Sequence, residues 1–133
     1  RRTRPLETFE VDVGEDAKVV APTAAEALRV KAFLVVQRNV VRDYLDVVAL
    51  ADHLGHETAV AILSEIDSYY DDRSGEWGSV LTSLVLALAD PAPRDTDVID
   101  ELPRYKGLDE RYHRWSDVVD VCRLLALRLG GAD

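Results

Sequence analysis

The sequence predicts a mainly α-helical chain with a short N-terminal β-hairpin. Three observations carry this. Residues Leu6 to Val13 alternate in polarity with period two, the mark of a half-buried strand. After Thr23, apolar residues recur at helical spacing in five stretches broken by Asn39, Gly55, Asp71–Gly75 and a Pro-rich connector. The chain has 133 residues, 47% hydrophobic and 31% charged, enough for one core and too apolar for a disordered segment.

The hairpin spans residues 6–20. Phe9, Val11 and Val13 share one face, Gly14-Glu15-Asp16 makes the turn, and Lys18-Val19-Val20 begins the return strand. Two strands alone are marginal, so this apolar face calls for a helix or further strands to cover it. The helical region covers residues 23–130. Thr23 is a good N-cap, and Glu26 three residues on completes a capping box. The first helix runs from about Ala24 to Gln37 and ends at Asn39. The second spans about Val41 to His53, with Gly55 as its terminating residue. The third is expected over Glu57–Tyr70 and the fourth over Glu76–Ala89. Pro91-Ala92-Pro93 stops the fourth, and a connector anchored by Val98, Ile99 and Leu102 follows. The last helix begins at Asp109 or Ser116 and ends at Leu129, before Gly130-Gly131.

Charge is unevenly spread. The chain carries a formal −9, which excludes a polyanion binder that works by bulk charge. Residues 57–93 hold most of it, at −6, while residues 1–56 are near neutral at −1. No apolar run approaches the ~20 residues that a membrane span needs, so no membrane partner is expected. A single Cys, at position 122, cannot form an internal disulfide and fits a cytoplasmic setting. The sequence contains no Met. The expectation is a single domain belonging to a longer polypeptide, with a segment missing upstream.

The densest group of functional side chains lies in Arg29–Asp46, RVKAFLVVQRNVVRDYLD. Lys31 shares a helix face with Leu28 and Val35 and needs a partner or a snorkelling stem. Arg38 lies two turns on, and Arg42, Asp43 and Asp46 open the next helix. Two readings follow. These residues could form interhelical ion pairs, such as Lys31 with Asp43 or Arg42 with Asp46. They could instead line a cationic pocket for a nucleotide phosphate.

The run K-x6-R-x3-RDYLDVVAL, after a hairpin and Ala21-Pro22-Thr23, resembles the AbiEii/AbiGii-type (MenT-like) nucleotidyltransferase toxin family. It has Val where that family usually has Leu after the second Asp of its motif. The resemblance implies the C-terminal helical part of an α+β nucleotidyltransferase-like fold. It implies transfer of a nucleotide from an NTP to a tRNA-like acceptor, with Mg²⁺ supporting the phosphoryl chemistry and a cognate antitoxin as partner. Lys31 and Asp43 would be its catalytic residues, and Arg38, Arg42 and Asp46 would bind substrate. The family's Gly-Ser turn with a following Asp-x-Asp does not occur before Lys31, so this chain is expected to lack the metal-binding half and to be inactive alone. Asp12 on the hairpin is either a third carboxylate of such a site or a solvent-facing residue. The alternative function is a non-catalytic helical interaction or regulatory module.

Three weaker candidates remain. His53 and His56 with Asp52 could hold a metal, although a helix C-terminus favours His in any case. Cys122 sits among Val118, Val119 and Leu125 and reads as a buried thiol. The segment from Leu102 to Trp115 interleaves basic and aromatic residues, a pattern suited either to stacking on single-stranded RNA or to packing on the helices.

Overall fold

The computed structural model describes residues 2–70, 79–105 and 108–131. Two strands, β1 (Thr8–Gly14) and β2 (Ala17–Pro22), pair antiparallel as an isolated hairpin. Helices α1 (Ala24–Arg38), α2 (Val41–Leu54), α3 (His56–Leu63), α4 (Val80–Ala89) and α5 (Trp115–Leu129) follow. Short 3₁₀ turns at Ile66–Ser68, Thr96–Arg104 and Glu110–Tyr112 connect them. The mainly helical architecture with an N-terminal hairpin is the one the hydrophobic pattern predicts.

The helices pack around one core. Leu28, Ala32 and Val35 of α1 meet Val41, Tyr44, Val48 and Ala51 of α2, with Leu84 and Leu88 of α4 and Cys122 and Leu125 of α5 closing it. All of these side chains are buried, and burying each large aliphatic one contributes about 1.5–3 kcal/mol. Tyr44 meets Trp115 edge-to-face, with ring centroids 5.8 Å apart, tying α2 to the start of α5.

Asn39 builds the corner between α1 and α2. It takes the left-handed conformation at φ 52°, which Asn tolerates better than most residues. Its N–H donates to Val35 O, its Nδ2 donates to Ala92 O, and its carbonyl accepts from Arg94 N–H. Asp95 then accepts from Val41 N–H at 2.8 Å. The Pro-rich connector is therefore fastened over this corner.

Two boundaries differ clearly from the sequence expectation. The hairpin extends to Pro22, where β2 pairs with Thr8. The third helix ends at Leu63 rather than continuing to Tyr70. The chain turns there because Asp67 is used elsewhere: it accepts from Ser79 Oγ at 2.7 Å and from Leu81 N–H at 2.9 Å, capping α4. The first residues expected in the fourth helix, and the Asp71–Gly75 loop, lie outside the described residues.

Among the described residues, hydrogen bonds attach the hairpin at its base. Thr23 N–H donates to Glu7 O at 3.1 Å, and Thr23 Oγ1 caps α1 by accepting from Glu26 N–H. The Glu26 side chain does not close the expected capping box. It turns to Arg2 and to Glu7 N–H instead, because a buried carboxylate gains more from a guanidinium than from a single amide.

Candidate functional site

The α1–α2 corner gathers four of the five residues singled out in the sequence. Lys31 Nζ lies 3.0 Å from Asp46 Oδ2, both about one-third exposed. Arg38 donates twice to Asp43, Nη2 to Oδ1 at 2.7 Å and Nε to Oδ2 at 3.0 Å. Asp43 is fully buried. The Arg38 guanidinium is pushed to a higher pKa, first by its hydrogen bonds to Asp43 and then by that carboxylate's charge. Arg42 is exposed and takes no part in either pair. Each of these two cations thus faces a carboxylate across the corner. The pairs brace α1 against α2 and leave Lys31 and Arg38 charge-compensated, which differs from a pocket of convergent cations awaiting a phosphate.

The sequence reading missed a second cluster. Arg2 Nη1 and Nη2 each donate to one oxygen of Glu26 at 2.6 Å, and Arg2 Nη1 also donates to Tyr70 Oη at 3.1 Å. Glu26 is fully buried and accepts a third bond from Glu7 N–H. Burial pushes its pKa up, but the hydrogen bonds from Arg2 and Glu7 with the charges of Arg2 and Arg29 outweigh it, so the net shift is downward. Arg29 bonds Glu7 and lies 4.0 Å from the centre of the Tyr69 ring, where Arg4 also sits at 4.6 Å. Among the described residues, its buried Nε has no hydrogen-bond partner and lies 3.8 Å from Glu26 Oε1. Phe33 stacks on Tyr70 at 4.1 Å. Thr3 N–H donates to Tyr69 O and its hydroxyl to Ser68 O, so the segment before the hairpin is strapped to the end of the 3₁₀ turn at Ile66–Ser68 and the residue after it. The only local signal was Glu26 itself, whose partner lies 24 residues away.

A third cluster centres on Asp52. Its Oδ1 meets His56 Nε2 at 2.7 Å and its Oδ2 accepts from Tyr112 Oη at 2.8 Å. Burial and then Asp52 push the Tyr112 phenol up to about 12. His53 is exposed. Among the described residues, no three His, Cys, Asp or Glu side chains converge as a metal site. Asp12 is exposed on the hairpin and accepts from Gly14 N–H. Cys122 is buried, and desolvation raises its thiol to about 12. In the basic–aromatic segment, Tyr112 is buried and Trp115 packs on Tyr44, while Tyr105 is exposed. Lys106 and Gly107 of that segment lie outside the described residues.

No family model matches the chain, and no solved structure matches it. It is similar to curated transport proteins of mycobacteria. The "Heme uptake protein MmpL11" of Mycobacterium tuberculosis (strain ATCC 25618 / H37Rv) is 36% identical over 129 residues, covering 97% of this chain and 13% of that protein. The "Mycolic acid-containing lipids exporter MmpL11" of Mycolicibacterium smegmatis is 38% identical over 130 residues, 96% of this chain and 13% of that protein. The "Probable transport protein MmpL11" of Mycobacterium leprae is 31% identical over 129 residues, 97% of this chain and 12% of that protein. The chain therefore spans about one-eighth of the length of the relatives it matches.

These relatives overturn the nucleotidyltransferase toxin reading. NTP, tRNA and antitoxin partners fall with it. The physical source of the misreading is plain. A Lys, an Arg and two Asp spaced around a helical corner are also what two packed helices use to pair charges, and some 20 residues of such a pattern do not distinguish the two. As for membranes, no described helix is long and apolar enough to cross one.

Proposed function

We propose that these residues form a helical accessory domain of an MmpL11-type transport polypeptide. The domain works as an interaction or regulatory module on the remainder of that polypeptide and contributes no transport path of its own. One observation carries this reading: the similarity runs through 97% of the chain yet fills 13% of the relatives. The matched unit has its own buried core, and no described helix is long and apolar enough to span a bilayer. The pairing of Lys31 and Arg38 with carboxylates supports a structural use of those cations. The single buried Cys122 supports a cytoplasmic position for the domain.

The whole polypeptide would then carry heme or mycolic acid-containing lipids, the two cargo classes in the names of its relatives. The test is deletion of residues 1–133 from the full polypeptide, with transport of heme and of mycolic acid-containing lipids measured in the same cells. The domain reading expects the shortened protein to reach the membrane and transport of one cargo to fall or to lose its regulation. Unchanged transport of both cargoes, at equal protein level, would contradict it.

A further inference from the structure

Residues 2–7 form a strap that joins the first turn of α1 to the 3₁₀ turn at Ile66–Ser68. Its contacts are polar. Arg2 pairs antiparallel with Tyr70 as an isolated bridge. Thr3 N–H donates to Tyr69 O at 2.8 Å, and Thr3 Oγ1 donates to Ser68 O at 3.0 Å. The Arg2 and Arg4 guanidiniums lie 5.3 Å and 4.6 Å from the centre of the Tyr69 ring. The apolar residues of the strap stay outside the core: Pro5 is exposed, and Leu6 is 59% exposed. A segment with no buried apolar side chain opens at a lower free energy than the core beneath it.

The ion pairs under the strap are arranged for exchange. Among the described residues, every hydrogen bond to the Glu26 carboxylate comes from the strap, two from Arg2 and one from Glu7 N–H. Arg29 in turn donates to the Glu7 carboxylate, also on the strap. Glu26 and Arg29 stand three residues apart on α1, with side chains 0% and 5% exposed. Arg29 Nε, which has no hydrogen-bond partner among the described residues, lies 3.8 Å from Glu26 Oε1. Arg29 is also seated 4.0 Å from the centre of the Tyr69 ring. Lifting the strap takes Arg2 and Glu7 N–H from Glu26, and Glu7 from Arg29. A shift of roughly 1 Å then turns the 3.8 Å approach into a hydrogen bond. We propose that residues 2–7 are a releasable latch. Closed, Arg2 holds Glu26 and Glu7 holds Arg29; open, Glu26 and Arg29 hold each other. This fallback pair lowers the cost of opening, because neither buried charge is left without a partner. Glu7 leads directly into β1, so the latch also sets how the hairpin stands on α1. The device stands whether or not the transport-domain reading holds.

Two measurements on the 133-residue chain test this. The first is native-state amide hydrogen exchange of the parent, read by NMR. The Thr3 and Glu7 amides, both bonded across the strap, should share one protection factor, at least roughly tenfold below that of core amides in α2. Exchange of both only with the core, or two unrelated protection factors, would overturn the latch. The second is a double-mutant cycle of Glu26→Gln and Arg29→Met, run in the parent and again in Arg2→Ala. Arg2→Ala is expected to stay folded with the latch open. The Glu26–Arg29 coupling, read as a ratio of unfolding constants, should then be roughly fivefold or more larger than in the parent. An equal or smaller coupling would show that the partners do not exchange. Global unfolding of Arg2→Ala would also overturn the proposal, since a latch with a fallback pair opens without loss of the core.

Discussion

Arg2 and Glu26 form a two-pronged ion pair at 2.6 Å on both arms, with the carboxylate fully buried and 24 residues from its partner in sequence. This pair joins the segment before the hairpin to the first turn of α1. Because the folded-state pKa of Glu26 is lowered overall, it contributes stability above the ordinary Glu range and loses it as pH falls through the folded value. Glu26→Gln keeps the shape and removes the charge. It is expected to cost about 2 kcal/mol near neutral pH, by urea unfolding. The same variant should show a shallower loss of stability than the parent as pH falls below about 4.5. An unchanged acid limb would argue against this pair.

The two corner pairs should behave differently. Asp43 is fully buried and takes both bonds from Arg38, so Asp43→Ala is expected to cost about 2 kcal/mol. Lys31 and Asp46 are partly exposed, and Lys31→Ala should cost less than about 1 kcal/mol. Chemical-denaturation midpoints of the two variants, measured side by side, check the ordering.

Tyr44 and Tyr112 should ionise late. Burial first, and for Tyr112 then Asp52, raises both phenols to about 12. An unfolded tyrosine ionises near 10. The native state therefore keeps protons that the unfolded state has lost, and stability should fall as pH rises from about 10 to about 12. Ultraviolet titration of the parent and of Tyr112→Phe checks this. The variant should lack one late-ionising group and lose about 1 kcal/mol at neutral pH, through the bond to Asp52.

The Cys122 thiol is buried and raised to about 12 by desolvation. A thiol reagent added to the native protein at neutral pH should react only as fast as the core opens. Full and rapid reaction is expected in denaturant. Prompt labelling of the native chain would show that α5 is less tightly packed than the core contacts indicate.

Local signals reached the helices but not their long-range uses. Thr23, Asn39 and Gly55 mark boundaries through their own conformational chemistry, so α1 and α2 were readable from sequence. The end of α3 was not, because it depends on Asp67 capping α4 across a gap of 12–14 residues. Lys31 and Asp46 stand eight before and seven after Asn39, so a corner that folds α1 back on α2 brings those two together rather than Lys31 and Asp43. The cluster of Arg2, Glu26, Arg29 and Tyr69 joins three separate parts of the chain, and no spacing rule reaches across them. The hairpin's alternation was legible, while its exposure was not, since alternation records which face is apolar and not what covers it.

The central proposal is that these residues form part of a transport polypeptide. Its most direct test is the size and location of the native protein, read with an antibody raised against residues 1–133 on fractionated cells. The account predicts a membrane-fraction polypeptide of which these residues make up roughly 13%. A 14.8 kDa band in the soluble fraction alone would contradict it.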